Sequence, residues 1–468
     1  MTPLDTTIIV IYFAATIAVG WWYRRSNRSR DDFLLGGRRM QSVPVGLSLM
    51  VSWFSAISYV ALPGEIVQHG PLVLVGLAAA PLTLWILSQW IVVRLRQPIV
   101  KTERISTNYL YRYSQPVTSA YEHLERWRLA WLASSLFLLV RLFWMAMIVH
   151  ITSTLFLGPM MGMPAWVPAI ILLVATTIYC IGGLRAVVAT DVLQAGIMFI
   201  GAGLTIWWLA PGTGPMDWPA AWPAPSWNWS PVERVTVPWA ILSAVCMGLC
   251  VRSGDQMAVQ RYLSVPTIGA ARRVLWLSWI ADLALTGLLV AVGLCLYARH
   301  QGGGDGLFPE FIRSGFPIGV TGLVVAAILA ASMSSLSSGI NSCVSTVAVD
   351  WRSFHPFAAG PATVLIACIV FGLSQAIPLV QGNTFELCYK VVNLLQVPLG
   401  GLMLSALFIP RASRRGLLLG TVASAAVVVW VNHFSGLSFL TAAPLGLLCQ
   451  FLVVFVVRIL KGGNCHGD

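Results

Sequence analysis

Residues 43–70 read VPVGLSLMVSWFSAISYVALPGEIVQHG, an apolar stretch long enough to cross a bilayer yet unlike an uninterrupted spanning helix. Ser48, Ser52, Ser55 and Ser58 crowd its middle, and Pro63-Gly64 stands near its far end. This pattern predicts a helix broken at membrane depth. Backbone can leave helical register there only where protein or a water-filled cavity covers it, and the freed carbonyls can bind a cation.

The rest of the chain supplies the surroundings such a break needs. Its 468 residues are 57% hydrophobic and only 10% charged, with mean hydropathy +0.79. Soluble domains carry about 25% charged residues, so the composition excludes a soluble enzyme, a disordered chain and a secreted disulfide scaffold. It also speaks against a nucleic-acid partner despite a net charge of +12. About thirteen apolar segments of spanning length centre near Ala14, Ser55, Leu82, Leu139, Val174, Phe199, Cys246, Leu288, Ile328, Val370, Leu402, Val427 and Val453. The expectation is an all-α integral membrane protein made of one polytopic domain.

Charge orients it. The first five residues carry no positive charge, whereas Arg24, Arg25, Arg28 and Arg30 follow the first apolar run, so that run is not read as a cleaved signal. With the N-terminus outside and the C-terminus in the cytoplasm of the cell membrane, about 23 of the 29 Lys and Arg, Arg261 with Arg272 and Arg273 among them, fall in cytoplasmic segments, the bias the positive-inside rule describes.

Residues 1–30 form an extra first helix, 41–210 a first block of five, 238–410 a second block of five, and 411–468 two further helices. An odd number per block inverts the second relative to the first. That predicts a 5+5 inverted repeat with a broken helix opening each half. No Walker motif, CxxC pair or HExxH occurs, so nothing points to ATP, zinc or thiol chemistry, and no enzyme is expected.

Ionisable residues at membrane depth cost about 2.5–3.5 kcal/mol each on insertion scales and mark function when retained. Arg141, Asp191, Asp255 and Asp282 are the candidates. Bland alternatives stand beside them: Asp191 as a helix N-cap, Asp255 in an i, i+3 pair with Arg252, and Arg141 paired with Glu65, Asp282 or helix carbonyls.

The run Ala330-Ala331-Ser332-Met333-Ser334-Ser335-Leu336-Ser337-Ser338 puts Ala331, Ser334, Ser335 and Ser338 on one helix face. Small residues also serve close helix packing. Five hydroxyls in seven positions exceed that need, and hydroxyl and carbonyl oxygens suit a hard cation. Sodium fits a site with at most one carboxylate.

These features resemble the sodium:solute symporters, which share the leucine-transporter-type fold. The resemblance rests on Phe33-Leu34-Leu35-Gly36-Gly37-Arg38-Arg39, on Gly182-Gly183-Leu184-Arg185-Ala186-Val187 leading into Thr190-Asp191-Val192-Leu193-Gln194, on Asp255-Gln256 with Val259-Gln260-Arg261-Tyr262-Leu263, and on the serine run. It is similar to the multivitamin, iodide and monocarboxylate branch and to bacterial sialic acid carriers.

The resemblance implies two Na+ sites. The first uses the carbonyls of Val51, Phe54 and Ala331 with the hydroxyls of Ser334 and Ser335. The second uses Asp191, Ser337, Ser338 and the Ser334 carbonyl. It implies sodium-coupled import of a small organic anion by alternating access, with one or two Na+ per cycle and Arg141 pairing the solute carboxylate. Ser52, Trp53, Ser55, Ser58, Asn393 and Gln396 are the other pocket candidates. The chain would act as a monomer in lipid. A proton-coupled transporter of the same fold and a non-transporting solute sensor are the alternatives. One departure is a connector after Asp350, residues 351–361, shorter than relatives usually carry.

Overall fold

The computed structural model describes residues 2–24, 29–97, 99–105, 109–115, 117–211, 222, 224–299, 307–350, 359–377, 384–409 and 412–462. Residues 351–358 of the shortened connector lie outside them.

The chain folds into a helical bundle. After α1 (Pro3–Arg24) come α2 (Ser42–Trp53) and α3 (Ala56–His69), then α4 (Leu74–Leu95), α5 (Ala130–Met161), α6 (Trp166–Cys180) and α7 (Gly183–Leu209). The second half follows as α8 (Val237–Gly254), α9 (Gln256–Ser264), α10 (Ile268–Arg299), α11 (Val320–Asp350), α12 (Ala359–Ala376) and α13 (Thr384–Phe408), with α14 (Arg414–His433) and α15 (Ala442–Gly462) closing the chain. All thirteen expected centres fall on this framework. By length and composition, however, 11 helices qualify as spans, 12 with the bent α2–α3 pair, while α6 has only 15 residues. Between α4 and α5 the polar stretch forms an antiparallel hairpin, β1 (Ile99–Ile105) with β2 (Tyr109–Gln115).

Both expected breaks are present. α2 and α3 meet at 72°, with Phe54 and Ser55 extended (φ −81°, ψ 118° and φ −115°, ψ 174°). α8 stops at Gly254, and Asp255, itself extended, caps α9 by accepting the Met257 N–H at 2.9 Å. Each break opens one block of five helices, counting each broken pair as one and including the short α6, which is the inverted-repeat plan.

α11 is almost wholly buried and packs against α1, α2, α5 and α7. Its alanines and serines permit this, since small side chains let helix backbones approach closely in lipid. Beside the second break the approach is closer still: a Cβ on Gly400 of α13 would stand 2.3 Å from the Cys250 Cα of α8.

Candidate functional site

A helix leaves its last carbonyls without amides four residues on. At the first break these carbonyls meet the serine face of α11. Ser334 Oγ donates to Val51 O and to its own Ala331 O, both at 3.0 Å, and Ser335 Oγ donates to Phe54 O at 2.8 Å and to Ser52 O at 3.3 Å. All five groups expected to hold a first sodium are therefore brought together and buried. Each hydroxyl already faces the carbonyls with which it would share a cation.

The second expected cluster is built differently from the reading above. Asp191 lies well inside α7, which begins at Gly183, so it is not a helix cap. Its Oδ2 accepts from Ser48 Oγ and, at 3.4 Å, from Ser338 Oγ, while Oδ1 has no partner among the described residues. Ser337 Oγ donates to Ser334 O at 3.0 Å.

A guanidinium that sequence reading had counted among the cytoplasmic charges occupies the rest of the space. Arg261 of α9 is fully buried and reaches Asp191 Oδ2 at 3.3 Å. It also donates to Ser48 Oγ at 3.0 Å, Ser52 Oγ at 2.8 Å, Ser338 Oγ at 2.5 Å and Met257 O at 2.9 Å. The one signal available beforehand was its place in the Gln260-Arg261-Tyr262 motif.

Arg141 is paired, but not with Glu65 or Asp282. Its Nη2 bonds Asp255 Oδ2 in a pair buried on both sides, which also removes the expected Arg252–Asp255 contact. Glu65 instead binds Arg234, at 2.9 Å. The Arg141 guanidinium lies 5.1 Å from the centre of the Trp53 ring.

Between the two repeats is a cavity of about 300 Å³ bordered by Phe54, Ile57 and Ser58 at the first break, Trp144 of α5, Met247 and Thr286 of the second half and Tyr389 of α13. Ser58 is thus a lining residue. Ser52 turns instead to Arg261 and Ser338, and the Asn393 amide donates to Phe439 O at 3.3 Å. Gln396, Ser55 Oγ and Trp53 Nε1 are buried with no hydrogen-bond partner among the described residues.

Two five-helix blocks, each opened by a broken helix and joined at an oxygen-lined break, define an ion-coupled membrane transporter. The chain belongs to the Sodium:solute symporter family, whose profile matches residues 33–214 and 230–423. It is accordingly a multi-pass, sodium-coupled symporter of small solutes rather than an enzyme.

It is 25% identical to the sodium/sialic acid symporter of Aliivibrio fischeri over 99% of this chain and 95% of that one. It is 26% identical to human sodium-coupled monocarboxylate transporter 1 over 92% of this chain and 73% of that one. Among solved structures, a substrate-bound outward-open Na+-coupled sialic acid symporter superposes with TM-score 0.84 at 22% identity, covering 98% of each chain. A nucleobase-cation-symport-1 transporter superposes with TM-score 0.65 at 12% identity, covering 93% of this chain and 96% of that one.

Proposed function

We propose that the protein imports a small organic anion together with Na+ by alternating access, with the first ion held by the carbonyls of Val51, Phe54 and Ala331 and the hydroxyls of Ser334 and Ser335. The convergence of these two hydroxyls on the carbonyls of the first break carries the reading. Sodium there bridges α2 to α11 and so fixes the inner half of the broken helix. A second sodium belongs at Asp191 with Ser337, Ser338 and the Ser334 carbonyl, and it requires Arg261 to give up its contact with Asp191.

Each charge carried inward supplies about 2.3 kcal/mol per 100 mV, so a second ion steepens the gradient the solute can reach. Relatives that carry sialic acid and monocarboxylates, together with the Arg141 guanidinium one helical turn from the lining residue Trp144, support an anion as solute. The charge asymmetry of the connections supports an outside N-terminus and a cytoplasmic C-terminus in the cell membrane. The groups of the first ion cluster all meet within one chain, which supports a monomer as the working unit.

Uptake of radiolabelled sodium by proteoliposomes, with and without a carboxylate mixture outside, tests the reading. Carboxylate-stimulated sodium entry is expected in the wild type and is lost in Ser334→Ala/Ser335→Ala. Equal entry in both, or none stimulated by any carboxylate, overturns it.

A further inference from the structure

One stripe of α3 runs past two cavities. Ser58, Ala61 and Leu62 line the central one. Glu65 follows Ala61 by four residues and Leu62 by three, so it continues their face one turn on. Glu65 and His69 then line a separate cavity of about 220 Å³, bordered on its other side by Ser226, Glu233 and Arg234. With the N-terminus outside, α2 and α3 run from the cytoplasm outward, which puts this second cavity on the outer side of the first.

An ion pair stands where the stripe passes from one cavity to the other. Arg234 Nη1 lies 2.9 Å from Glu65 Oε1, and Nη2 donates to Oε2 at 3.2 Å. The pair is lopsided: the Glu65 side chain is 2% exposed and that of Arg234 34%. A buried carboxylate is costly without its cation. The guanidinium, by contrast, already has water beside it and can leave without being stranded.

The second half of the chain holds Arg234 from behind. Its carbonyl accepts from Ser438 Oγ at 2.7 Å, and Ser438 N donates to Pro231 O at 2.7 Å. Its guanidinium lies 5.9 Å from the centre of the Phe439 ring. Phe439 meets Tyr389 of α13 edge-on, with ring centres 5.1 Å apart, and Tyr389 borders the central cavity. The Tyr389 hydroxyl in turn shares a hydrogen bond of 2.9 Å with Ser243 of α8. The series Glu65, Arg234, Phe439, Tyr389 therefore joins the outer half of the first broken helix to the second repeat.

We propose that Glu65 and Arg234 form an outer latch. Paired, they hold α3 against the α13 side and close the central cavity to the outside; parted, they let α3 move away and join the two cavities into one open path. Arg234 is a positioning residue in this scheme, since it borders the outer cavity and not the central one. The latch rests on the alternating-access reading above and adds the contact that must break before the cavity faces outward.

The test is the rate at which an impermeant cationic thiol reagent, applied outside intact cells, modifies Ala61→Cys in the full chain, read against the same protein without the added cysteine. Ala61 lines the central cavity and is only 3% exposed. Glu65→Gln/Arg234→Met removes both charges, so it strands neither partner, keeps the net charge and is expected to unfold near the wild-type temperature. It is expected to speed modification of Ala61→Cys about five-fold, the upper end for exposed ion pairs, because one partner here is buried. Arg234→Lys keeps a cation and is expected to react more slowly than the double variant. Ser342→Cys, fully buried on α11, reports general loosening and is expected to keep its rate.

An unchanged rate at Ala61→Cys in the double variant overturns the latch. Equal acceleration at Ser342→Cys also overturns it, because the pair is then a brace of the whole fold. Acceleration found only with reagent on the cytoplasmic side of inverted vesicles overturns the outer placement together with the orientation proposed above. The symport reading fails by a separate result, the absence of carboxylate-stimulated sodium entry in the wild type.

Discussion

Removing one hydroxyl from the first break separates an ion ligand from an ordinary buried serine. Ser335 Oγ stands 2.8 Å from Phe54 O, and Ser334 Oγ stands 3.0 Å from both Val51 O and Ala331 O. Without sodium, Ser335→Ala loses a neutral hydrogen bond of about 1 kcal/mol; with sodium it loses a contact to a charge, about 1.5–3 kcal/mol. The difference, about 0.5–2 kcal/mol, is what sodium binding loses, so the sodium dissociation constant is expected to rise about two- to thirty-fold. At sodium about 100 times the wild-type Kd, the ion stabilises the wild type by about 2.7 kcal/mol and a thirty-fold weaker variant by only about 0.9 kcal/mol.

Thermal unfolding in Na+, K+ and choline at constant ionic strength reads this directly. Ser342→Ala is the control, since its hydroxyl donates to Gly339 O at 2.9 Å on the same buried helix, away from the carbonyls of the first break. It should lower the unfolding temperature in every salt and leave the sodium midpoint alone. If Ser335→Ala and Ser342→Ala titrate alike, the hydroxyls of the serine run are packing elements and the sodium assignment at the break is wrong.

Other outcomes follow from the same geometry. Arg261→Gln leaves Asp191 buried without its cation, so stability in K+ should fall by about 3–5 kcal/mol. Sodium should then recover more of that loss than it adds to the wild type in the same unfolding assay; no extra recovery speaks against a cation seat at Asp191. Gly400→Val pushes a side chain into the Cys250 backbone and should cost at least about 1–3 kcal/mol, read as loss of folded protein on size-exclusion chromatography. For orientation, a cysteine replacing Thr2 should react with an impermeant maleimide on intact cells, and one replacing Arg415 only after permeabilisation.

The helical plan was legible because lipid imposes it: spanning length, apolar composition and basic connections are one-dimensional quantities. The gathering of Val51, Phe54, Ala331, Ser334 and Ser335 was legible through the resemblance, and the break supplied its physical reason, since carbonyls that lose their amides are left to face other groups. The charge pairs were not legible, and each miss has a cause. Arg252 and Asp255 are three apart in sequence, but the break between Gly254 and Asp255 removes them from a common helix, so helical spacing no longer applies. Asp191 follows a Gly-Gly pair, yet α7 already begins at Gly183 and places it at mid-helix depth. Arg261 counted as a cytoplasmic charge because hydropathy sees a polar segment where the chain continues past the break as a short, fully buried helix. Pairings across the repeats, Arg141 with Asp255 and Arg261 with Asp191, depend on tertiary packing that no local period reports. The hairpin at residues 99–115 was read only as a polar stretch, although its tyrosines and β-branched residues favour strands.

Both buried ion pairs converge on α9. It has 9 residues, fewer than an isolated helix needs to hold its shape in water, and all of its side chains are buried. Polar side chains tie it to the rest of the bundle: Asp255 to Arg141 at its cap, Arg261 to Asp191, Ser48, Ser52 and Ser338, Gln260 to Leu34 O at 2.6 Å, and Gln256 to the Ala120 N–H at 2.8 Å. A buried ion pair contributes little net stability over neutral groups of similar volume, while removing one partner alone is costly. The neutral double variant Asp191→Asn/Arg261→Gln should therefore keep most of the global stability and lose the charge-assisted hold on α9. Losing bonds of about 1.5–3 kcal/mol should speed amide exchange across residues 256–264 about ten- to hundred-fold, with residues 330–342 of α11 unchanged. Hydrogen exchange followed by mass spectrometry resolves the two segments. Uniform loosening of both would make the pair an ordinary part of the core, whereas loosening confined to α9 identifies this short helix as the element whose attachment the buried charges control.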